Sequence, residues 1–93
     1  MRVTYTVVLL PDSGGGYLVE VPALLGCVTY GETLGEALLM AEDAIQGYLS
    51  VLQEDGDPIP REKKDITVSL GRRKEAILRK VTVIVPAEVA KVV

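Results

Sequence analysis

The sequence predicts an α+β domain: a mainly antiparallel sheet in the order β-β-β-α-β(-β), with one long helix packed on one face. Three observations predict it. Only one stretch, from position 33 to position 56, carries apolar side chains at the helical period. Shorter stretches on both sides alternate apolar and polar residues, as half-buried strands do. Gly- and Pro-rich punctuation separates them. Ninety-three residues make one domain. A chain of this size buries about 60–65% of the surface it exposes when unfolded. Its core is therefore thin, and a partner or a second copy would add to it. There is no Phe and no Trp, so the core is aliphatic, with four Tyr as its largest pieces.

Val3, Tyr5, Val7 and Leu9 share one face of a first strand, opposite Arg2, Thr4 and Thr6. Val8 and Leu10 break the alternation, so the far end of this strand is expected to be covered on both faces. The run PDSGGG at positions 11–16 is a turn: proline stops the ladder and the glycines permit positive φ. A phosphate loop would need a lysine and a following helix, and neither is present. Tyr17, Val19 and Val21 alternate with Leu18 and Glu20 and complete an antiparallel hairpin. Pro22 ends it, Leu24-Leu25-Gly26 makes a tight connection, and residues 27–30 form a short third strand.

Thr33 and Glu36 stand at capping-box spacing, which opens the helix. Leu34, Leu38, Ala41, Ile45, Leu49 and Leu52 form its apolar stripe, with Ala37, Ala44 and Tyr48 at one margin. Glu36, Asp43, Ser50 and Glu54 lie opposite, while Leu39, Met40 and Val51 fall outside the stripe. Gly56 ends the helix and Pro58 forbids its continuation. Residues 61–65 are a charged linker. Ile66, Val68 and Leu70 alternate with Thr67 and Ser69 and predict a fourth strand. A charged turn at 71–75 leads to a fifth over residues 76–85. Pro86 suits the first position of a short helix over 87–93, which is too short to stand alone in water.

The net charge of −3 hides a division. Residues 1–60 carry one base against nine acids; residues 61–80 carry eight bases against three acids. Two readings stay open: opposite faces that dock partners of opposite charge, or halves that neutralise each other. A single cysteine excludes an intramolecular disulfide. No apolar run approaches the roughly 18–20 residues that span a bilayer, and the N-terminal stretch alternates unlike a signal peptide. The expected localisation is cytoplasmic.

Several pieces now combine. Gly16-Tyr17 with Val21-Pro22, Leu24 with Gly26-Cys27-Val28, Gly31-x-Thr33 with Glu36-Ala37, and Gly56-x-Pro58-Ile59-Pro60 occur in an order and spacing that resemble the HicB-like antitoxin family, UPF0150/HicB-type. The resemblance covers roughly the first two thirds of the chain. It implies a partial RNase H-like fold and the role of antitoxin in a type II toxin–antitoxin system. The implied partner is HicA, a small basic mRNA-cleaving toxin that the antitoxin binds and masks. It divides the chain into a β-β-β-α core, residues 1–60, and a basic linker with C-terminal strands, residues 61–93. Many family members add a ribbon-helix-helix or helix-turn-helix that binds DNA. Residues 80–89 look like the opening of a ribbon-helix-helix, but there is no room for its two helices before Val93. The C-terminal strands are therefore expected to complete the sheet or a dimer, with a remnant module and DNA binding as the alternative.

A working RNase H-type site needs clustered carboxylates around Mg²⁺. The first strand has no acid from position 1 to 10, and Asp12 and Glu20 have no further acids converging with them. Without histidine, the common imidazole base and the usual zinc sites are missing. Cys27 has no histidine to activate it and reads as packing. The expectation is a protein with no catalytic residue, metal or cofactor. The helix face bearing Glu36, Asp43 and Glu54, with Leu39 and Met40 beside it, is the expected partner contact. Two alternatives are a stand-alone homo-oligomer, dimer or tetramer, and a nucleic-acid-binding regulator acting through residues 61–80, with Arg72, Arg73 and Lys74 as contacts.

Overall fold

In the computed structural model, which describes residues 1–71 and 73–86, the N-terminal alternation becomes the long strand β1 (Arg2–Pro11). It is followed by β2 (Tyr17–Glu20), β3 (Val28–Gly31), the helix α1 (Leu34–Glu54) and β4 (Ile77–Ile84). The strands form one sheet in the order β3-β2-β1-β4, with every neighbouring pair antiparallel. β1 is the hub. Its C-terminal half pairs with β2, from Val8 opposite Glu20 to Pro11 opposite Tyr17. Its other edge pairs with β4 from Arg2 opposite Ile84 to Leu9 opposite Ile77. Pro11 thus closes the hairpin ladder from within. The Asp12 amide donates to the Gly16 carbonyl at 3.0 Å and the Gly15 amide to the Asp12 carbonyl at 2.9 Å. Gly16 sits at φ +81° with the Tyr30 hydroxyl against it, so a side chain there would meet both strain and a collision.

The Thr33 half of the helix cap is as the spacing predicts, while Glu36 reaches back one residue further than a capping box requires. Thr33 Oγ1 accepts the Glu36 amide at 3.0 Å, and Glu36 Oε1 accepts the Glu32 amide at 3.2 Å. Such a cap contributes about 1 kcal/mol. At the other end, Gly56 adopts φ +74°. Its amide donates to the Gln53 carbonyl and that of Asp57 to the Leu52 carbonyl, the paired bonds of a Schellman motif.

The core lies between α1 and one face of the sheet. Tyr5, Val7 and Leu9 of β1, Val19 of β2 and Val83 of β4 meet Ala37, Ala41, Ile45 and Leu49 of the helix. The centre of the helical stripe differs from the expectation. Ala37 is fully buried, while Leu34, Leu38 and Leu52 are only half-buried. The reason is Gly31: a Cβ there would overlap the backbone of Ala37, so the helix rests on bare backbone of β3 and its small residues take the middle.

The tail brings a second difference. Residues 66–70 are not a strand. Ile66, Val68 and Leu70 are half-buried and Thr67 and Ser69 exposed, so the alternation survives in burial. It pairs with no strand of the sheet. The expected final strand is β4, beside β1 in the same sheet. The Val85 amide donates to the Met1 carbonyl at 2.7 Å and extends that pairing. The expected helix over 87–93 lies outside the described residues.

Candidate partner-binding surface

The outward side of α1 carries all five residues expected to meet a partner: Glu36, Leu39, Met40, Asp43 and Glu54 are all exposed. Leu39 is 69% and Met40 39% exposed. Residues three and four apart are neighbours on a helix, so Glu36, Leu39, Met40 and Asp43 form one patch with two acids framing two apolar side chains. Glu54 does not join it, since eleven positions at 1.5 Å rise set it about 16 Å further along the axis. Glu36 is also engaged in the N-terminal cap. Ala41, Ile45 and Leu49 pull one side of α1 into the core, and that burial turns this patch outward.

Among the exposed apolar residues absent from the expected contact set are Val51 and Leu25. Val51 is 56% exposed further along α1, and Leu25 is 91% exposed at a loop tip. The loop is built to present Leu25. The Leu24 amide donates to the Val21 carbonyl, the Val21 amide to the Cys27 carbonyl and the Cys27 amide to the Leu24 carbonyl, Leu24 is buried as a plug, and the Tyr48 hydroxyl donates to the Leu25 carbonyl at 2.9 Å. The sequence signal is the Leu-Leu-Gly run: one leucine must point in and its neighbour out. Cys27 lies in the core beside it, and burial pushes its thiol up from the ordinary value, which keeps it an inert packing group.

The other face of the sheet holds a polar clamp. β2 ends at Glu20, so the Thr6 amide has no strand to pair with on that side. Glu62 Oε2 takes its place, accepting the Thr6 amide at 2.6 Å and the Thr6 hydroxyl at 2.7 Å. Lys80 of β4 donates to Thr6 Oγ1 at 2.8 Å and forms an ion pair with the same Glu62 oxygen at 3.2 Å. Burial pushes the Glu62 carboxyl up, but the hydrogen bonds from Thr6, Lys80 and Lys63 together outweigh it and hold the group below the ordinary carboxylate range. One residue earlier, the buried Tyr5 hydroxyl donates to the Pro60 carbonyl at 2.6 Å. Burial, then the Glu62 charge, pushes Tyr5 up to about 12.

Among the described residues, the basic side chains of the tail line separate clefts rather than one patch. Arg73 and Lys74 line a cleft of about 610 Å³ together with Asp12, Ser13 and Glu75, so two acids share it. Arg72 lies outside the described residues. Arg61 and Lys64 line a different cleft beside Arg2 and Glu62, and Lys80 is engaged by Glu62. Among the described residues, no three His, Cys, Asp or Glu side chains are grouped to hold a metal ion, and no helix is long and apolar enough to cross a membrane.

The four-stranded antiparallel sheet with one helix on one face defines a small α+β domain of the kind found in antitoxins. The chain belongs to the HicB-like antitoxin family of bacterial toxin–antitoxin systems, whose family model matches residues 5–92. A UPF0150 protein of Thermoplasma acidophilum is 45% identical over 65 residues, which is 69% of this chain and 94% of that one. The fold is shared with a chain of a toxin–antitoxin complex from Streptococcus pneumoniae, at a TM-score of 0.72 and 21% identity over 88% of this chain and 69% of that one. The N-terminal domain of the Burkholderia pseudomallei antitoxin HicB superposes at a TM-score of 0.68 and 24% identity, covering 89% of this chain and 100% of that domain.

Proposed function

We propose that this protein is an antitoxin that works by binding, without catalysis, and that it masks a small basic mRNA-cleaving toxin of the HicA type in the cytoplasm. Family membership across residues 5–92 carries this reading. The contact we assign is the outer patch of α1: Leu39 and Met40 supply apolar area, and Asp43 and Glu36 supply charge opposite in sign to a basic toxin. One base against nine acids over residues 1–60 adds a negative field that speeds the encounter.

Titration calorimetry with a purified HicA-type toxin tests it. The parent chain is expected to form a complex whose affinity falls as salt rises. Leu39→Asp should weaken it at least tenfold, and Asp43→Lys should flatten its salt dependence. No complex with the toxin would overturn the antitoxin reading. A complex indifferent to both substitutions would leave the function standing and move the contact elsewhere.

A further inference from the structure

Among the described residues, the outer edge of β4 pairs with no strand. Thr6 pairs with Lys80 in register, yet the Thr6 amide turns away from β4 toward Glu62. In an antiparallel ladder, both members of such a pair point their backbone groups away from each other. Lys80 therefore directs its N–H and C=O to the outer edge, and so do Leu78, Thr82 and Ile84. The Val85 amide, one residue on, donates inward to Met1, and Arg79 Nη1 donates to the outward Leu78 carbonyl at 3.0 Å. Leu78 and Ile84 are 47% and 67% exposed on the same face of this strand. Sheets usually protect such an edge with a short strand, a bulge, a proline or charged side chains, and here Lys80 is paired with Glu62 and Arg79 is turned onto the Leu78 carbonyl. β4 runs eight residues without a proline among them.

We propose that this edge pairs with the same edge of a second copy, joining two four-stranded sheets into one continuous sheet across a two-fold axis. Self-complementarity selects the occupant. A two-fold perpendicular to the sheet permits registers centred on a residue, and the register centred on Val81 is the best of them. It sets Leu78 opposite Ile84 of the second copy, and Lys80 opposite Thr82, at both ends. All four outward-facing residues then exchange bonds, and each exposed apolar side chain gains an apolar partner. Centring on Lys80 would place two lysines face to face, and centring on Thr82 would leave Leu78 unpaired. The helix-facing side contributes as well. A groove of about 290 Å³ runs between α1 and this edge, lined by Leu38, Leu39 and Glu42 on one side and Arg79 and Val81 on the other. Side chains of the added strand fall toward it. This assembly is a property of the chain alone and does not rest on toxin binding.

Sedimentation and light scattering on the isolated chain at micromolar concentration test the proposal, with cysteine cross-linking to read the register. The parent is expected to be dimeric. Val81→Cys should oxidise to a covalent dimer, because position 81 faces itself as a non-hydrogen-bonded pair at a Cα separation of about 4.5 Å, within disulfide reach. Thr82→Cys should cross-link far less. Thr82→Pro removes an outward amide without touching the β1 ladder and should give a folded monomer. If that variant fails to fold, Ile84→Lys serves the same end from the exposed face. A monomeric parent, a dimer unmoved by the substitutions, or preferential cross-linking at position 82 would each overturn the proposal as stated.

Discussion

The two faces of the sheet solve the same problem by different chemistry. On the helix side, Tyr5, Val7, Leu9, Val19 and Val83 close against α1, and almost every contact is aliphatic. On the other side, Val8 and Leu10 are buried at the centre, but Thr6 beside them is held by Glu62 and Lys80, and the flanks carry exposed Val28, Tyr30, Leu78 and Ile84. The first face is complete within one chain. The second is complete only along its middle strand. The described residues of this thin domain supply one helix, so the second sheet face relies on a polar clamp and on whatever docks there.

Substitutions on each face break this contrast in graded steps. Ile45→Ala opens a cavity in the aliphatic layer and should lower stability by about 3–4 kcal/mol in urea titration. Glu62→Ala leaves the Thr6 amide and Lys80 without their acceptor and should cost about 2 kcal/mol. The clamp also has a pH signature that the helix face lacks. The folded Glu62 carboxyl lies below its unfolded value near about 4.3, so its contribution is fully present above that pH and is lost as pH falls through the folded value. Glu62→Gln should therefore flatten the acid side of the stability profile. Tyr5→Phe removes the hydroxyl that reaches Pro60 and should cost about 1 kcal/mol. It should also remove the loss of stability between about pH 10 and about pH 12, since the folded Tyr5 resists ionisation. Asp43→Lys, outside both layers, should shift stability by less than about 0.5 kcal/mol. A larger loss at Asp43 than at Glu62 would invert the comparison.

Much of this was legible beforehand for a local reason. The Thr33 cap, the Gly56 stop, the hairpin turn and the Leu39–Asp43 patch are all set by residues within one or two helical turns of each other. The centre of the helical stripe was misplaced, because periodicity weighs leucine above alanine and does not register that β3 ends in a glycine. The alternation at 66–70 misled for a related reason. It reports which side of a chain faces apolar surroundings, whereas a strand also needs a neighbouring strand to bond with.

The sequence by itself determined the first three strands, the long helix and its two ends, the buried far end of β1, the final strand over 77–84 and the family to which the chain belongs. Each follows from short-range patterns. Only the tertiary structure decided that β4 returns to the edge of β1, that the Tyr5 hydroxyl finds Pro60, and that Glu62 takes the amide β2 leaves unpaired. These partners lie 55 to 84 residues apart in the chain for the Tyr5, Thr6 and Met1 contacts. An orphaned backbone donor recruits whichever acceptor the fold brings to it, and sequence spacing holds no record of that choice.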